Sequence, residues 1–266
     1  MPYDQNIFQG VAHYYAQYRR GYPEAFYEHL ERVFCLTKNY RALDLGTGTG
    51  QIAFALAPRV GEVVATDINS EMIAEGGRIA EEKKVKNIVW AVSSAEEVSY
   101  DLGMFDLVTI GSAFHWMEGN AVLDRAYAMM NRNGGIAIVA NTNSIHRNNE
   151  RSVWKKIARE VIERHVGQER KAGKAGLYRE PKERFEDIVD ASQFVGRESF
   201  VMEYEEQWSI DEIIGYLHST SFASSEVLGE RWNAFESEMR KRLEEMGDAG
   251  VFFEKQKLDA ILAYKE

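Results

Sequence analysis

The sequence predicts an α/β fold: a doubly wound, mostly parallel seven-stranded sheet with a helical cover drawn from the C-terminal half. Three observations lead there. Between residues 41 and 140 short apolar runs of strand type alternate with amphipathic helix patterns. A glycine-rich turn, GTGTG, joins the first such run to the helix after it. Beyond residue 141 the alternation stops, and helical periodicity takes over with two alternating runs of strand type.

Each element has a local reason. Pro23 suits the first position of a helix that carries Phe26, Leu30, Val33 and Phe34 on one face. RALDL is the first strand, and after GTGTG the segment QIAFALA turns Ile52 and Leu56 inward until Pro58 closes it. EVVATD is the second strand. Ser70 is placed to cap the next helix, whose stripe is Met72, Ile73, Ile79 and Ala80. NIVWAV and FDLVTI follow as strands three and four. Asn120 reads as the cap of a helix bearing Val122, Leu123, Ala126, Met129 and Met130, stopped by Gly134 and Gly135. GIAIVA is the fifth strand.

The cover begins with a helix that puts Val153, Trp154, Ile157, Val161 and Ile162 in register. KAGKAGLYREP reads as an exposed loop. In FVMEYEEQW the residues Phe200, Met202, Tyr204 and Trp208 keep even spacing, the pattern of a half-buried strand. Ser209 and Glu212 then form a capping box, with Trp208 and Ile213 as its hydrophobic staple. Leu228, Trp232, Phe235, Met239, Leu243 and Met246 mark a long helix, and KLDAILAY is the last strand, extended by or paired with VFFEK. Residues 1–140 are thus expected to form a core with an N-terminal helical cap. Residues 141–266 add the cover and the last two strands to the same structural domain.

Composition narrows the function. Among 266 residues 45% are apolar and 28% charged, enough to bury a proper core. The formal net charge of −10, without a dense Lys/Arg block, leaves no footprint for a phosphate backbone, so nucleic acid is not an expected partner. Cys35 is the only cysteine, which excludes an intrachain disulfide and a thiolate cluster and fits a reducing compartment. No signal-like N-terminus and no apolar run of membrane-spanning length is read, so a cytoplasmic location is expected.

A strand, a glycine turn and a helix make a nucleotide site, because backbone N–H groups there are free and glycine allows close approach. Asp67 ends the second strand 17 residues after Gly50, where a carboxylate accepts the hydroxyls of a ribose. The spacing separates two cofactors. A dinucleotide site uses G-x-G-x-x-G, whereas this chain has G-x-G-x-G with Asp44 just ahead of Gly46. That acid repels a pyrophosphate but suits the sulfonium and ammonium groups of S-adenosylmethionine. No HExxH or facial-triad spacing is present, so a metal is not expected.

LDLGTGTG, TDINSEMI, SSAEEV, FDLVTIGSAFHWM and the RNGG turn together resemble the class I S-adenosylmethionine-dependent methyltransferases, a Rossmann-like fold. Within them the chain resembles the small-molecule branch that includes trans-aconitate methyltransferase-like enzymes, whose N-terminus is similar to HYYAQYRRGYP. The likeness runs over residues 8–140. It implies that the glycine loop from Gly46 to Gly50, with Thr47 and Gly48 in it, wraps the methionine part of the cofactor. It also implies that Asp67 binds the ribose and that Ile68 and Met72 flank the adenine. Where the family has an Asp-Ala pair on the adenine edge this chain has Ser94 and Ala95; Ser94 can still hydrogen-bond there, with Glu96 or backbone the alternative for the N6 contact. Tyr14, Tyr18 and Arg19 match a helix closing over the cofactor, with Arg19 available to its carboxylate.

GSAFHWM, from Gly111 onward, starts at the carboxyl end of the fourth strand, where such sheets bind ligands. His115 is the candidate base for an acceptor that carries a proton. Trp116 is expected to shape the acceptor pocket or to face the cationic sulfur, with Trp154, Tyr178 and Phe222 from the cover lining the pocket. His146 and His218 approach from that cover, while His13, His29 and His165 read as surface or packing residues. The reading is a methyltransferase acting on an oxygen, nitrogen or carboxylate of a small molecule. Two rivals stand beside it: an NAD-dependent dehydrogenase, and a non-catalytic regulatory protein that binds S-adenosylmethionine.

Overall fold

The computed structural model describes residues 6–142, 145, 152–246 and 250–266. The N-terminal part runs α1 (Ala12–Tyr18), α2 (Glu24–Val33), β1 (Arg41–Leu45), α3 (Gln51–Leu56), β2 (Glu62–Asp67), α4 (Ser70–Glu82) and β3 (Ile88–Val92). It continues through β4 (Phe105–Gly111), α5 (Gly119–Ala128) and β5 (Met130–Asn141). The cover follows as α6 (Val153–His165), the short strands β6 (Lys171–Ala172) and β7 (Gly176–Leu177), and α7 (Phe185–Asp190). The chain ends with β8 (Val195–Ser209), α8 (Ile210–His218), α9 (Ser225–Leu228), α10 (Trp232–Met246) and β9 (Val251–Tyr264).

Seven strands form one sheet in the order β3-β2-β1-β4-β5-β9-β8. β1 to β5 are parallel, β9 runs antiparallel to β5, and β8 antiparallel to β9. The chain goes one way from β1 and the other way from β4, so a crevice opens beyond the carboxyl ends of those two neighbours. Successive residues of a strand serve opposite faces. Ala42 packs with Phe26, Leu30 and Leu56, whereas Leu43 packs with Phe105, Val108 and Leu123 on the other side. A third core, around Trp154, Trp208 and Phe235, holds the cover together.

The expected strands are all present, and the capping box holds. Ser209 Oγ accepts from the Glu212 N–H at 3.2 Å, and Glu212 Oε2 accepts from the Ser209 N–H at 2.8 Å. VFFEK extends the last strand rather than pairing with it.

Several boundaries differ for physical reasons. Pro23 is the cap of α2, one residue ahead of its expected place. Asn69, not Ser70, caps α4: its side chain accepts from the N–H groups of Glu71 and Met72 at 2.9 and 3.2 Å. Asn120 caps nothing, since α5 already begins at Gly119 after Glu118. Gly134 and Gly135 do not stop that helix but lie within β5, where a Cβ on Gly135 would sit 2.0 Å from the Phe34 ring. Gly135 thus serves the close packing of Phe34, whereas a Cβ on Gly134 would meet the Met130 side chain and the Asn131 and Asp106 carbonyls, and Met130 belongs to the strand. Leu228 closes the separate turn α9, so the long helix starts only at Trp232. KAGKAGLYREP is no plain loop, because β6 and β7 pair within it. Among the described residues no helix is long and apolar enough to cross a membrane.

Candidate active site

The crevice is floored by the turn after β1. Gly46 and Gly48 adopt φ of +65° and +57°, and a Cβ on Gly46 would come within 2.7 Å of the Ala113 Cβ and 2.9 Å of the Met117 methyl. Only glycine lets the chain turn this way so close to the loop after β4.

Asp44 lies at the carboxyl end of β1, paired in register with Thr109 of β4, and is 1% exposed. The Thr47 hydroxyl donates to one of its oxygens at 2.5 Å and the Thr109 hydroxyl to the other at 2.7 Å. Burial nevertheless pushes its pKa up to about 6, because two neutral donors do not replace the water lost by a carboxylate. A cation placed beside Asp44 would reverse that shift.

Asp67 ends β2 with both oxygens already oriented. The Gly48 N–H donates to Oδ2 and the Asn69 N–H to Oδ1, each at 2.9 Å. Burial raises its pKa despite these bonds. Each carboxylate oxygen retains a second acceptor site, which two adjacent hydroxyls can use. Asp67, Ile68, Met72, Ser94, Ala95 and Glu96 line one side of a cavity of about 130 Å³. Ser94 donates to Glu97 at 3.4 Å, and a Glu96 carboxylate oxygen accepts from the Glu118 N–H at 2.9 Å.

A second cavity, of about 690 Å³, adjoins it. The two share Phe8, Tyr15, Gly46, Gly111, Ser112 and Trp116. At this junction Ser112 holds φ of +51°, sparsely populated for a residue with a side chain. Its N–H donates to the Val139 carbonyl at 2.8 Å and its hydroxyl bonds that of Tyr22 at 2.8 Å, so the strained turn is held from two sides. Phe114 anchors the following 3₁₀ turn, 3% exposed and edge-on to Phe185, which leaves His115 and Trp116 on the cavity wall.

His115, Trp154, Tyr178 and Phe222 all line the larger cavity, as expected of pocket residues. Burial, and after it the charge of Arg170, pull the His115 pKa down to about 4. At neutral pH the ring is uncharged, and as a base it is weaker than an ordinary imidazole. Trp154 is fully buried, with its indole N–H donated to Glu254 at 3.1 Å.

The closing helix is rotated relative to expectation. Tyr14 and Tyr18, four residues apart, share the face that packs on α8: Tyr14 stacks on His218 at 3.6 Å, and Tyr18 lies against Gly215. Neither lines either of these two cavities. The face of Tyr15 and Arg19 turns to the cleft instead. Tyr15 therefore takes the place foreseen for Tyr14 and Tyr18. Arg19 is fixed between the Tyr15 and Tyr216 rings and donates to the Ser219 hydroxyl at 2.8 Å. His218 is stacked away from the cleft, and His146 lies outside the described residues. Tyr15, Tyr22, Ser112 and Arg170 were missed by the sequence reading. Only the spacing of Tyr15 and Arg19 held a signal for them.

Comparison with known proteins shows what this crevice is similar to. Residues 42–134 match the family model of a methyltransferase domain. The match covers about a third of the chain, and what that stretch is similar to is a methyltransferase domain. The ubiquinone/menaquinone biosynthesis C-methyltransferase UbiE of Rhizobium johnstonii is 32% identical over 105 residues, 38% of this chain and 41% of that protein. The chain thus spans less than half the length of the curated relatives it first matches. The crystal structure of YcgJ from Bacillus subtilis superposes with a TM-score of 0.55 at 15% identity, covering 90% of this chain and 97% of that one. A Haemonchus contortus phosphoethanolamine N-methyltransferase, solved with phosphomonomethylethanolamine and S-adenosylhomocysteine, gives 0.56 at 17% identity, covering 96% and 56%. At these identities the two structures establish the class I methyltransferase fold. S-adenosylmethionine is the cofactor of such a domain, and the residues present fit it. Gly46 and Gly48 leave a cradle that a Cβ would fill, Asp67 offers oriented acceptors for a ribose, and buried Asp44 suits a cation.

Proposed function

We propose that the chain transfers the methyl group of S-adenosylmethionine to a small molecule held in the larger cavity. The observation that carries this reading is the junction. The smaller cavity is lined by Asp67, Ile68, Met72, Ser94, Ala95 and Glu96, the larger runs from Asp44, Thr47 and Arg19 to the cover, and they meet at Gly111, Ser112 and Trp116. A volume of about 690 Å³ has room for the methionine end of the cofactor and a metabolite-sized acceptor together. The net charge of −10 argues against a nucleic acid, and the reading places the enzyme in the cytoplasm.

In this proposal Asp67 takes the ribose, Ile68 and Met72 the adenine, and Ser94, Ala95 and Glu96 its edge. Asp44, Thr47, the glycine loop and Arg19 hold the methionine end. The cofactor supplies a methyl carbon already activated by a positively charged sulfur. The protein then needs chiefly to align the acceptor and exclude water, which the cover and the rigid Ser112 turn accomplish. His115 serves as a neutral wall residue of the acceptor pocket beside Trp116, Trp154, Tyr178 and Phe222. The acceptor atom is an oxygen, a nitrogen or a carboxylate, in keeping with a small-molecule branch of the trans-aconitate methyltransferase type.

Calorimetric titration tests the cofactor assignment. S-adenosylhomocysteine is expected to bind saturably and NADH not at all. Asp67→Ala is expected to weaken S-adenosylhomocysteine by roughly tenfold or more through lost hydrogen bonds to a charged acceptor. NADH binding in place of S-adenosylhomocysteine would establish the dehydrogenase reading instead.

A further inference from the structure

We infer that Arg170 is the anion-binding residue of the acceptor cavity, and that the molecule methylated carries a carboxylate or phosphate group. The inference rests on the proposed function for the word acceptor. The anion site itself stands on geometry.

Arg170 enters the β6–β7 hairpin, and its backbone is fixed. Its carbonyl accepts from the Tyr178 N–H at 2.9 Å, and within the hairpin the Gly173 N–H donates to the Ser221 carbonyl at 2.7 Å. The guanidinium lies over the Tyr178 ring, 3.6 Å from its centre, and faces Phe222 at 6.0 Å. Its Nε is buried and has no hydrogen-bond partner among the described residues.

The contrast with the other cations of this cavity is what singles it out. Arg19 donates to the Ser219 carbonyl, Arg20 to the Gln207 carbonyl and Glu212, Lys155 pairs with Glu254, and Arg184 with Glu186 at 3.4 Å. Glu180 lies in the same wall and acts on Arg170 electrostatically, yet no salt bridge joins them. The buried Nε is out of a ligand's reach, but Arg170 lines the cavity without a carboxylate partner among the described residues, and an oxyanion entering there can accept from the terminal N–H groups of its guanidinium. The planar guanidinium is pre-oriented by its stack, and the matching ligand is a flat or tetrahedral oxyanion. Neutral His115, close enough to feel the charge of Arg170, does not compete for such a group.

The test uses the full chain saturated with S-adenosylhomocysteine, titrated calorimetrically with benzoate, phenyl phosphate and neutral benzamide. The wild type is expected to bind at least one anion about tenfold or more tighter than the amide, and the preferred anion assigns carboxylate or phosphate. Arg170→Gln is expected to lower anion affinity to the level of the amide. Arg170→Lys, which keeps the charge without the fork, should retain part of the preference. Equal binding of the amide and both anions, no saturable anion binding, or wild-type anion affinity in Arg170→Gln would each overturn the inference. The wild-type comparison needs no variant to fold. Titration of S-adenosylhomocysteine into the same preparations separates the two claims. Its failure strikes the proposed function, while the anion titrations, repeated without it, still judge Arg170.

Discussion

Lowering the pH from 7 to 5 is expected to weaken binding of S-adenosylhomocysteine by about tenfold, because Asp44 loses its charge in that interval. With its pKa pushed up to about 6 by burial, Asp44 is ionised at neutral pH and mostly protonated at pH 5. The ammonium group of the ligand stays charged throughout, since α-amino groups titrate near ~8. The sign for stability is the opposite. The unfolded chain releases this proton near 3.8 and the folded chain near 6, so the folded protein without cofactor loses stability from Asp44 as the pH rises between those values. The loss amounts to about 3 kcal/mol at full ionisation. Asp44→Asn keeps the shape and removes the charge. It should raise the denaturation midpoint of the protein without ligand at pH 7 while weakening the ligand and flattening its pH dependence. Isothermal titration of wild type and variant between pH 5 and 8 reads both effects. Wild-type affinity with the same pH dependence in Asp44→Asn would refute the assignment of Asp44 to the cationic end of the cofactor.

Three further substitutions probe other parts of the structure. His115→Asn should keep kcat within roughly threefold above pH 6, because a ring with its pKa lowered to about 4 is a poor base; a hundredfold loss in steady-state rate would restore the base role. Gly46→Ala forces a side chain onto φ of +65° and into Ala113 and Met117, so urea unfolding should show a loss of about 1–3 kcal/mol together with weaker ligand binding. Lys155→Met strands Glu254, which is 2% exposed, and should cost about 3–5 kcal/mol in the same assay, whereas Lys155→Met with Glu254→Gln should recover at least half of it. A double variant no more stable than the single one would mean that the ion pair is not the source of the loss.

The sheet was legible in the sequence because strands buried on both faces leave short apolar runs, and because GTGTG followed by Asp67 marks the turn and the second strand end. What the sequence left open depends on long-range contact. Tyr14, Tyr15 and Tyr18 all suit a closing helix, and only docking on Gly215 and His218 decides which face looks into the cleft. Gly134 and Gly135 follow a helical pattern as a C-terminal stop would, and only the approach of Phe34 shows why glycine is needed at 135 inside a strand. Ser70 and Asn69 are both capable caps. The Asp67 carboxylate, accepting from the Asn69 N–H, sets the residue that begins the helix. His115 drew attention as a titratable ring, but its basicity is set by burial and by Arg170, 55 residues away in the chain. Arg170 itself had no local signature, since it sits in a stretch that reads as charged loop and gains meaning only when the hairpin folds over the cavity.

The central claim is methyl transfer at the junction of the two cavities. Incubation of the full chain with S-adenosylmethionine bearing a tritiated methyl group and a fractionated metabolite extract tests it most directly. The expected result is label in a low-mass product with the wild type, and little or none with Asp67→Ala. Wild-type protein that binds the cofactor saturably yet labels no metabolite in any fraction would contradict it.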